Sequence, residues 1–480
     1  MNKRGKKRKL LIGSASITSV VVLISVTLGP SIYFGSENSI IIENSYSENW
    51  DIIVPDDYKN IQNAVDNAKE GQRIFVRSGN YKLSEGLFSK SLTINKKGLT
   101  ICGENKETTI INGIYVKTPI YINADSINFS GFTILNNDIN GSLITLNSND
   151  CKIHDNILVI KDYYDGIEYG VKTLYADENY ISNNKIIKGD YGVKVILSNN
   201  NIFENNTVEN CSFGIYITSI FLIDFNEKTT KTLSRSSSQG NIFINNLIIN
   251  NYRGLIFYLS DSNSVLNNTI VSEQRFGLTL SRCKNNIIKN NKFIGNGIEI
   301  DGTDLNHFVH VIQDNTINGK PIYYYNKQND FNVPSDAGQI IIVDCQKINI
   351  NKVKISDAPT ALLIAFSSLI VIENCEISSN YQGLILFYSY YCSIIKNNFI
   401  ENTFDARFVV SGFFNRKKNS WRGNYWDSRI VNKRLILGLL PKRIPGRFHL
   451  KIRFGVFDKF GLGYRTWNFD RSPSKSAYNI

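Results

Sequence analysis

Short apolar runs alternate with polar turns along most of this chain, and the stretch from Tyr191 to Val208, YGVKVILSNNNIFENNTV, states the pattern in full. A glycine opens a short apolar strand, a polar turn follows, and a second apolar strand ends on an Asn-Asn pair. Glycines in this role, Gly170, Gly192, Gly214, Gly254, Gly277 and Gly297, are spaced 22, 22, 40, 23 and 20 residues apart. The pairs that begin at Asn183, Asn205, Asn245, Asn267 and Asn290 keep step, with intervals of 22, 40, 22 and 23. The long interval falls at the same place in both series, so one coil carries an inserted loop. Residues 224–240 have the composition of a mobile surface loop and account for it.

A period in the low twenties with strands of about four residues is too short for a strand plus a long helix, and it lacks leucine-rich spacing. These features predict an all-β, single-stranded right-handed parallel β-helix of about a dozen coils, in which equivalent residues form ladders about 4.8 Å apart. Asparagine suits such ladders because it tolerates left-handed backbone and its amide bonds to the coil above. Glycine suits the strand entry by the same tolerance of left-handed backbone.

Alignment on the glycines assigns facing, because alternate strand residues point to opposite sides. One past glycine come Val171, Val193, Ile215, Leu255, Leu278 and Ile298, all apolar and therefore inward. Two past come Lys172, Lys194, Tyr216, Ile256, Thr279 and Glu299, and four past come Leu174, Ile196, Thr218, Tyr258, Ser281 and Asp301. These two columns describe a long outer face, basic toward one end and acidic toward the other. A regular extended surface suits a regular extended ligand such as a polysaccharide, so Lys172, Lys194, Tyr216, Tyr258, Thr279, Glu299 and Asp301 are the candidate ligand-binding residues, with the tyrosines offering stacking faces.

At the N-terminus, residues 1–9 carry six basic groups and precede 26 uncharged residues, Leu10 to Gly35. As a helix that run reaches ~39 Å and crosses a bilayer, with the basic tip in the cytoplasm and the body outside. An uncleaved single-pass anchor over 10–35 is expected; a cleaved signal peptide, and hence a secreted protein, is the alternative. Residues 36–53 read as a tether. Asp56 to Gln72 then places Ile61, Ala64, Val65 and Ala68 on one helical face, with Asp56 or Asp57 as N-cap and Gly71 past the end, and predicts a capping helix for the solenoid of residues 54–427.

Three motifs carry a family resemblance: the opening helix followed by GQRIFVRSGNY, then NGKPIYYY (Asn318 to Tyr325) with DAGQIIIVDCQKINI (Asp336 to Ile350), and NSWRGNYWD (Asn419 to Asp427). From Val54 to Asp427 the chain resembles the NosD-like β-helix surface proteins of archaea and bacteria, also described as carbohydrate-binding and sugar-hydrolysis repeats, within the pectate-lyase-like group. In relatives that are lyases or hydrolases the active site lies on the outer face of such a sheet. Many relatives continue with an acidic, calcium-binding segment. Here residues 407–480 instead carry 17 basic against 3 acidic groups, and 428–480 reads as a basic C-terminal cap or, alternatively, an amphipathic membrane-surface element.

The side chains speak against familiar enzymes. Hydrolysis needs two carboxylates about 5–9 Å apart, and Glu299 and Asp301 face Thr279 and Ser281 on the preceding coil rather than further acids. The Gly-His-Gly and Arg-x-Lys elements of polygalacturonase-like relatives and the Asp-Pro-His-Asp of alginate epimerases are absent, and His154-Asp155 sits where a turn is expected. His307 and His310, three apart in an acidic stretch, are weak metal candidates. Copper handling, which the NosD resemblance implies, favours Met, His and free Cys, against one Met, Met1, and four dispersed His. The seven cysteines are scattered, and Cys151, Cys283, Cys345 and Cys392, each just before an apolar strand, read as core thiols. The expected function is therefore non-catalytic binding of carbohydrate or another surface polymer, with no cofactor and no nucleic-acid partner. A polysaccharide lyase, hydrolase or epimerase, and a copper-enzyme maturation factor, are the alternatives.

Overall fold

Each position of the repeat has its own structural task. The first asparagine of each pair, Asn183, Asn205, Asn245, Asn267 and Asn290, has φ between 53° and 57°, the left-handed turn conformation that asparagine tolerates among residues with a side chain. The second is buried and works along the axis. Nδ2 of Asn184 donates to Oδ1 of Asn206, Asn206 to Asn246, Asn246 to Asn268 and Asn268 to Asn291, at 3.0–3.1 Å. Each of those oxygens also accepts the backbone N–H of the asparagine one rung earlier. A parallel row runs from Asn179 through Asn201, Asn241 and Asn263 to Asn286. The strand-entry glycines act differently from the expectation: Gly170, Gly192, Gly214 and Gly254 do not adopt positive φ. A Cβ at Gly192 would lie 2.7 Å from the Gly214 carbonyl oxygen, and one at Gly254 only 2.2 Å from that of Gly277. Glycine is required there for the close approach of successive rungs.

The computed structural model describes residues 50–85, 88–136, 141–160, 167–219, 238–272, 276–411, 419–427, 442–454, 457–470, 473–474 and 476–480. They form a right-handed parallel β-solenoid of about 14 turns, slightly more than the sequence predicts. Each turn contributes three strands. The first face is an 11-stranded sheet from Ile52–Val54 to Val311–Gln313, the second runs from Gly79–Lys82 to Thr316–Ile317, and the third is a 9-stranded sheet from Leu92–Ile94 to Ile298–Asp301. On the third face Val171, Val193, Ile215, Leu255, Leu278 and Ile298 are successive partners, all buried, so the inward column falls where the glycine alignment puts it. The inserted segment 224–240 lies outside the described residues except for 238–240. Around it the register is unbroken: Phe203 pairs with Phe243, and their rings stack at 4.8 Å.

Among the described residues the parallel stacking is interrupted at one seam. Lys320–Asn326 turns back on Thr316–Ile317 in an antiparallel pair and then runs parallel to Gln339–Val343. From there Thr360–Ala365, Gln382–Phe387 and Phe404–Ser411 continue in register, giving a second block of rungs. The three tyrosines of NGKPIYYY pack this seam: the Tyr324 hydroxyl donates to the Phe308 carbonyl (2.8 Å) and accepts from the His310 N–H, and Tyr325 packs on Phe331. The Gln339 amide clamps the two blocks, accepting from the Ile298 N–H and donating to the carbonyls of Ile298 and Thr360.

At the N-terminal end a helix, Ile61–Asn67, buries Ile61, Ala64 and Val65 over the first rungs. Its N-cap is Asn60, which accepts from the Asn63 N–H at 2.8 Å, and not Asp56 or Asp57. Those acids bond instead to Arg77 and to the Ile53 N–H. At the other end NSWRGNYWD forms a last rung: Asn419 accepts from the Cys392 N–H, Trp421 is buried, Asn424 receives Asn397, and Trp426 stacks on Phe399 at 4.4 Å. A hairpin of Lys442–Phe454 and Phe457–Asp470 then extends the second block beyond Phe404–Ser411, pairing Phe408 with Gly446 through Ser411 with His449. The final residues return to the solenoid, where Tyr478 exchanges two hydrogen bonds with the Asn398 amide. The apolar run 10–35 and most of the predicted tether lie outside the described residues, among which no helix is long and apolar enough to cross a membrane.

Candidate functional site

The third face carries the candidate residues because its strands are the longest, six residues in Tyr169–Leu174, Tyr191–Ile196, Phe213–Thr218 and Arg253–Tyr258. Lys172, Lys194 and Tyr216 are successive Cα partners. Beside them stands a row that the column assignment overlooks, the residue before each glycine. Tyr169 and Tyr191 stack at 5.3 Å, Tyr191 and Phe213 at 4.8 Å, and the Tyr216 ring meets Tyr191 edge-on at 5.5 Å. Lys194 Nζ sits 4.0 Å from the Tyr191 centroid, 5.1 Å from Tyr216 and 5.3 Å from Tyr169. Lys172 Nζ lies 5.5 Å over Tyr169. Arg253, the next member of the row, lies between Phe213 and Phe276, and its buried Nε has no hydrogen-bond partner among the described residues. The row was legible in the sequence, since Tyr169, Tyr191, Phe213, Arg253 and Phe276 share the glycine spacing.

Burial dominates the electrostatics of this patch. It lowers the Lys194 ammonium to about 8, with the like charge of Lys172 adding to the effect and Asp190 opposing it. Lys172 is lowered by burial and then by Lys117. Burial raises the phenols of Tyr169 and Tyr216 to about 12. Tyr216 is thus a half-buried member of an aromatic cluster, where the alternation alone reads it as a solvent-facing side chain. The column becomes more covered along the axis, with Ile256, Thr279 and Glu299 all buried, so facing away from the core is not the same as facing water.

Glu299 enters a second cluster that crosses the seam. Its carboxyl, 8% exposed, accepts from the Thr360 hydroxyl at 2.7 Å and from the Gln382 amide at 3.2 Å. Burial raises it to about 7; Asp301 pushes in the same direction, while Arg407 and the two hydrogen bonds pull it down. Thr279 Oγ1 and Gln382 Oε1 are buried here without hydrogen-bond partners among the described residues. Asp301 and Arg407 are exposed. The sequence places Glu299 and Asp301 together, but the seam partners lie 61 and 83 residues onward in positions that no repeat spacing links. Tyr258, half-buried four past its glycine, lies outside both clusters.

The histidines serve the fold. A 3-10 turn, Leu305–Phe308, brings His307 and His310 together. Nδ1 of His307 accepts from the N–H groups of Thr303 and Asp304, and the ring nitrogens of His310 engage the Asn286 N–H and the His307 carbonyl. His310 therefore ends the row of Asn179 to Asn286, and burial lowers it to about 4. Asp155 provides the positive-φ turn expected beside His154. Six cysteines are buried free thiols, with Cys102 half-covered. Cys151 begins the same row, its N–H donating to Asn179.

The sequence comparisons agree with this architecture. Residues 222–345 match the family model described as periplasmic copper-binding protein (NosD), and residues 149–221 match that of the right handed beta helix region. No curated protein matches the chain. Among solved structures it is similar to the catalytic unit of a GH87 alpha-1,3-glucanase from Streptomyces thermodiastaticus, at 12% identity, 77% of this chain, 62% of that chain and a TM-score of 0.37. It is also similar to PfbA, a surface adhesin of Streptococcus pneumoniae, at 13% identity over 76% and 88% of the two chains with a TM-score of 0.37. The chain thus spans about three fifths of the glucanase unit. The residues present do not suit the copper in the matched family's description. Both nitrogens of His310 are engaged, the only methionine is Met1, and no group of three or more His, Cys, Asp or Glu among the described residues is arranged to hold a metal. With its 22-residue rungs, asparagine rows and matched models, the chain is a right-handed parallel β-helix protein that is similar to the NosD model over residues 222–345.

Proposed function

We propose that this protein binds an extended glycan along the third face of its solenoid, without transforming it. The observation that carries this reading is the row of half-buried rings and cations on consecutive rungs, Tyr169, Tyr191, Phe213 and Tyr216 with Lys172 and Lys194. Rings stacked rung upon rung, with Tyr216 set edge-on against them, are held at fixed height and offer an ordered aromatic surface at low entropic cost, and rungs repeat at about 4.8 Å, a pitch suited to a polymer. In the same proposal residues 10–35 anchor the chain in the membrane with the body outside, 36–53 tether it, and the basic segment 428–480 caps the last rung. A glycan array probed with the full chain tests the reading. Binding to at least one polysaccharide, weakened by Tyr216→Ala by ~1 kcal/mol or more, is expected. Absence of binding to every glycan on the array would overturn it.

One observation favours hydrolysis as a second reading: Glu299, held near 7, shares its field with Asp301 and Arg407. A carboxyl that is still partly protonated at neutral pH suits a general acid, and a neighbouring carboxylate suits its partner. Release of reducing ends from a bound polysaccharide, abolished by Glu299→Gln, is the outcome that would replace binding with catalysis.

A further inference from the structure

We propose that the C-terminal hairpin docks on an anionic lipid surface through one side of its sheet, while the other side closes the last rung. The inference stands apart from the glycan reading and gives the capping segment a partner. Lys442–Phe454 and Phe457–Asp470 pair antiparallel, and alternation divides the residues of each strand between two sides. On the first side lie Ile444, Gly446, Phe448, Leu450 and Ile452. Two markers place that side against the solenoid. Gly446 is the partner of Phe408, which is buried, and Asp470, the partner of Lys442, is buried on the Asn424 amide and the Trp426 indole. On the second side lie Arg443, Arg447 and Lys451, with Arg465 directly opposite Arg447. Arg407, which is exposed, precedes the partner of Arg447, Val409, by two residues and so shares this second side.

The second side has the chemistry of an anion-binding surface. Within the paired register the only carboxylate is that of Asp470, on the first side, so these cations share their side with no acid. Like charges directly across a ladder destabilise it, and Arg447 and Arg465 are set in that way; anions beside them offset the repulsion. Arg443 and Lys451 are separated by about 27 Å of strand, a span that fits an array of anions better than a single small ion. Trp467 and Phe469, opposite Pro445 and Arg443, fall on the same side, and Trp is a residue type enriched at the headgroup level of bilayers. The charge of the whole chain points the same way. Residues 407–480 total +14 (17 basic, 3 acidic) and residues 1–9 total +6, so within a net charge of +12 the 397 residues between total −8. An acidic bilayer therefore draws this end and repels the body. Residues 10–35, proposed as the anchor, hold the chain at a bilayer, so lipid is the polyanion at hand.

The test is co-sedimentation of the full chain with vesicles of phosphatidylcholine alone and of phosphatidylcholine mixed with phosphatidylglycerol. The apolar run 10–35 meets both kinds of vesicle alike, so the ratio of the two affinities reports the charge. We expect the acidic vesicles to bind at least about tenfold more tightly, and the ratio to fall toward one in about 0.5 M NaCl. The triple variant Arg447→Gln, Lys451→Gln, Arg465→Gln should lose most of the ratio, whereas glutamine at Lys3, Arg4, Lys6, Lys7, Arg8 and Lys9 should keep it. Trypsin digestion reads the same contact on the wild-type chain, and so stands even if the triple variant does not fold: cleavage after Arg447, Lys451 and Arg465 should slow on acidic vesicles and not on neutral ones. Equal affinity of the wild type for the two vesicles overturns the proposal. So does unchanged cleavage at those three sites, a ratio that survives in a folded triple variant, or one that vanishes with the N-terminal substitutions. Tighter binding to a single-stranded DNA oligomer than to the acidic vesicles overturns the choice of lipid in favour of a nucleic acid. None of these outcomes touches the glycan reading, which the array tests separately.

Discussion

Tyr216 marks the difference between pointing away from the core and standing in water. Alternation places it outward, and it is outward, yet its ring packs on Tyr191 and Phe213 and encloses Lys194. Truncation to alanine should therefore lower stability as well as binding, by ~1–2 kcal/mol, where a free surface tyrosine would cost almost nothing. Ile215→Asp should be far worse, because it buries a lone carboxylate in the continuous core. Glycine at the strand entry offers a sharper test. Gly254→Ala sets a methyl against the Gly277 carbonyl oxygen and should cost at least 1–3 kcal/mol by forcing two rungs apart. An unchanged melting temperature for this variant would show that the rungs separate freely.

At the scale of the turn and its ladder, the Asn-Asn pair divides its labour in a way that composition hides. Asn245 supplies a left-handed turn and Asn246 supplies the axial hydrogen bonds. Asn245→Gly should therefore be nearly neutral, since glycine adopts that φ without strain. Asn246→Ala should cost ~2–4 kcal/mol, because buried amides above and below lose their acceptor or donor. Thermal melts of the two variants side by side decide the matter, and equal losses would mean the pair acts as one unit. This division also explains what was legible beforehand. Period, rung count to within a few turns, inward column and the place of the insertion all follow from spacing, because the ladder forces equivalent residues into register. Asn60 caps the helix in place of the expected Asp56 or Asp57 because all three are competent caps, and only the tertiary partners Arg77 and Ile53 remove the two acids from the competition.

For the molecule as a whole, the seam is where sequence periodicity fails and where chemistry collects. Glu299, Gln339, Thr360 and Gln382 come together only because Lys320–Asn326 breaks the repeat, so no alignment of coils could have joined them. The aromatic row was readable but required a column that alternation from the glycine skips. Glu299 gives the seam a pH signature. Its carboxyl is raised from 4.5 to about 7 on folding, so the proton is held more tightly in the folded chain, and this contribution is complete below pH 4.5 and lost as pH rises through 7. His310, lowered to about 4, works in the opposite sense by favouring the folded chain as pH rises over an overlapping window. The informative quantity is therefore the difference between wild type and Glu299→Gln at each pH. The glutamine variant should gain on the wild type between pH 5 and 8 by the order of a few kcal/mol, read from denaturant midpoints. A constant difference across that range would place Glu299 outside the seam's energetics.

Asp470 stands at the end of the row that runs from Cys375 through Asn397 to Asn424, accepting from the Asn424 N–H and amide and from the Trp426 indole. An asparagine in that place would bring an NH2 group seeking an acceptor one level further on, as Asn397 and Asn424 do. A carboxylate receives and asks for nothing in return. The stack is thus given a polarity and a full stop, and a second molecule arriving at that end would find no amide in this row to zip onto. Side-chain chemistry at one position helps to keep a fold with the repeat of a fibre from becoming one.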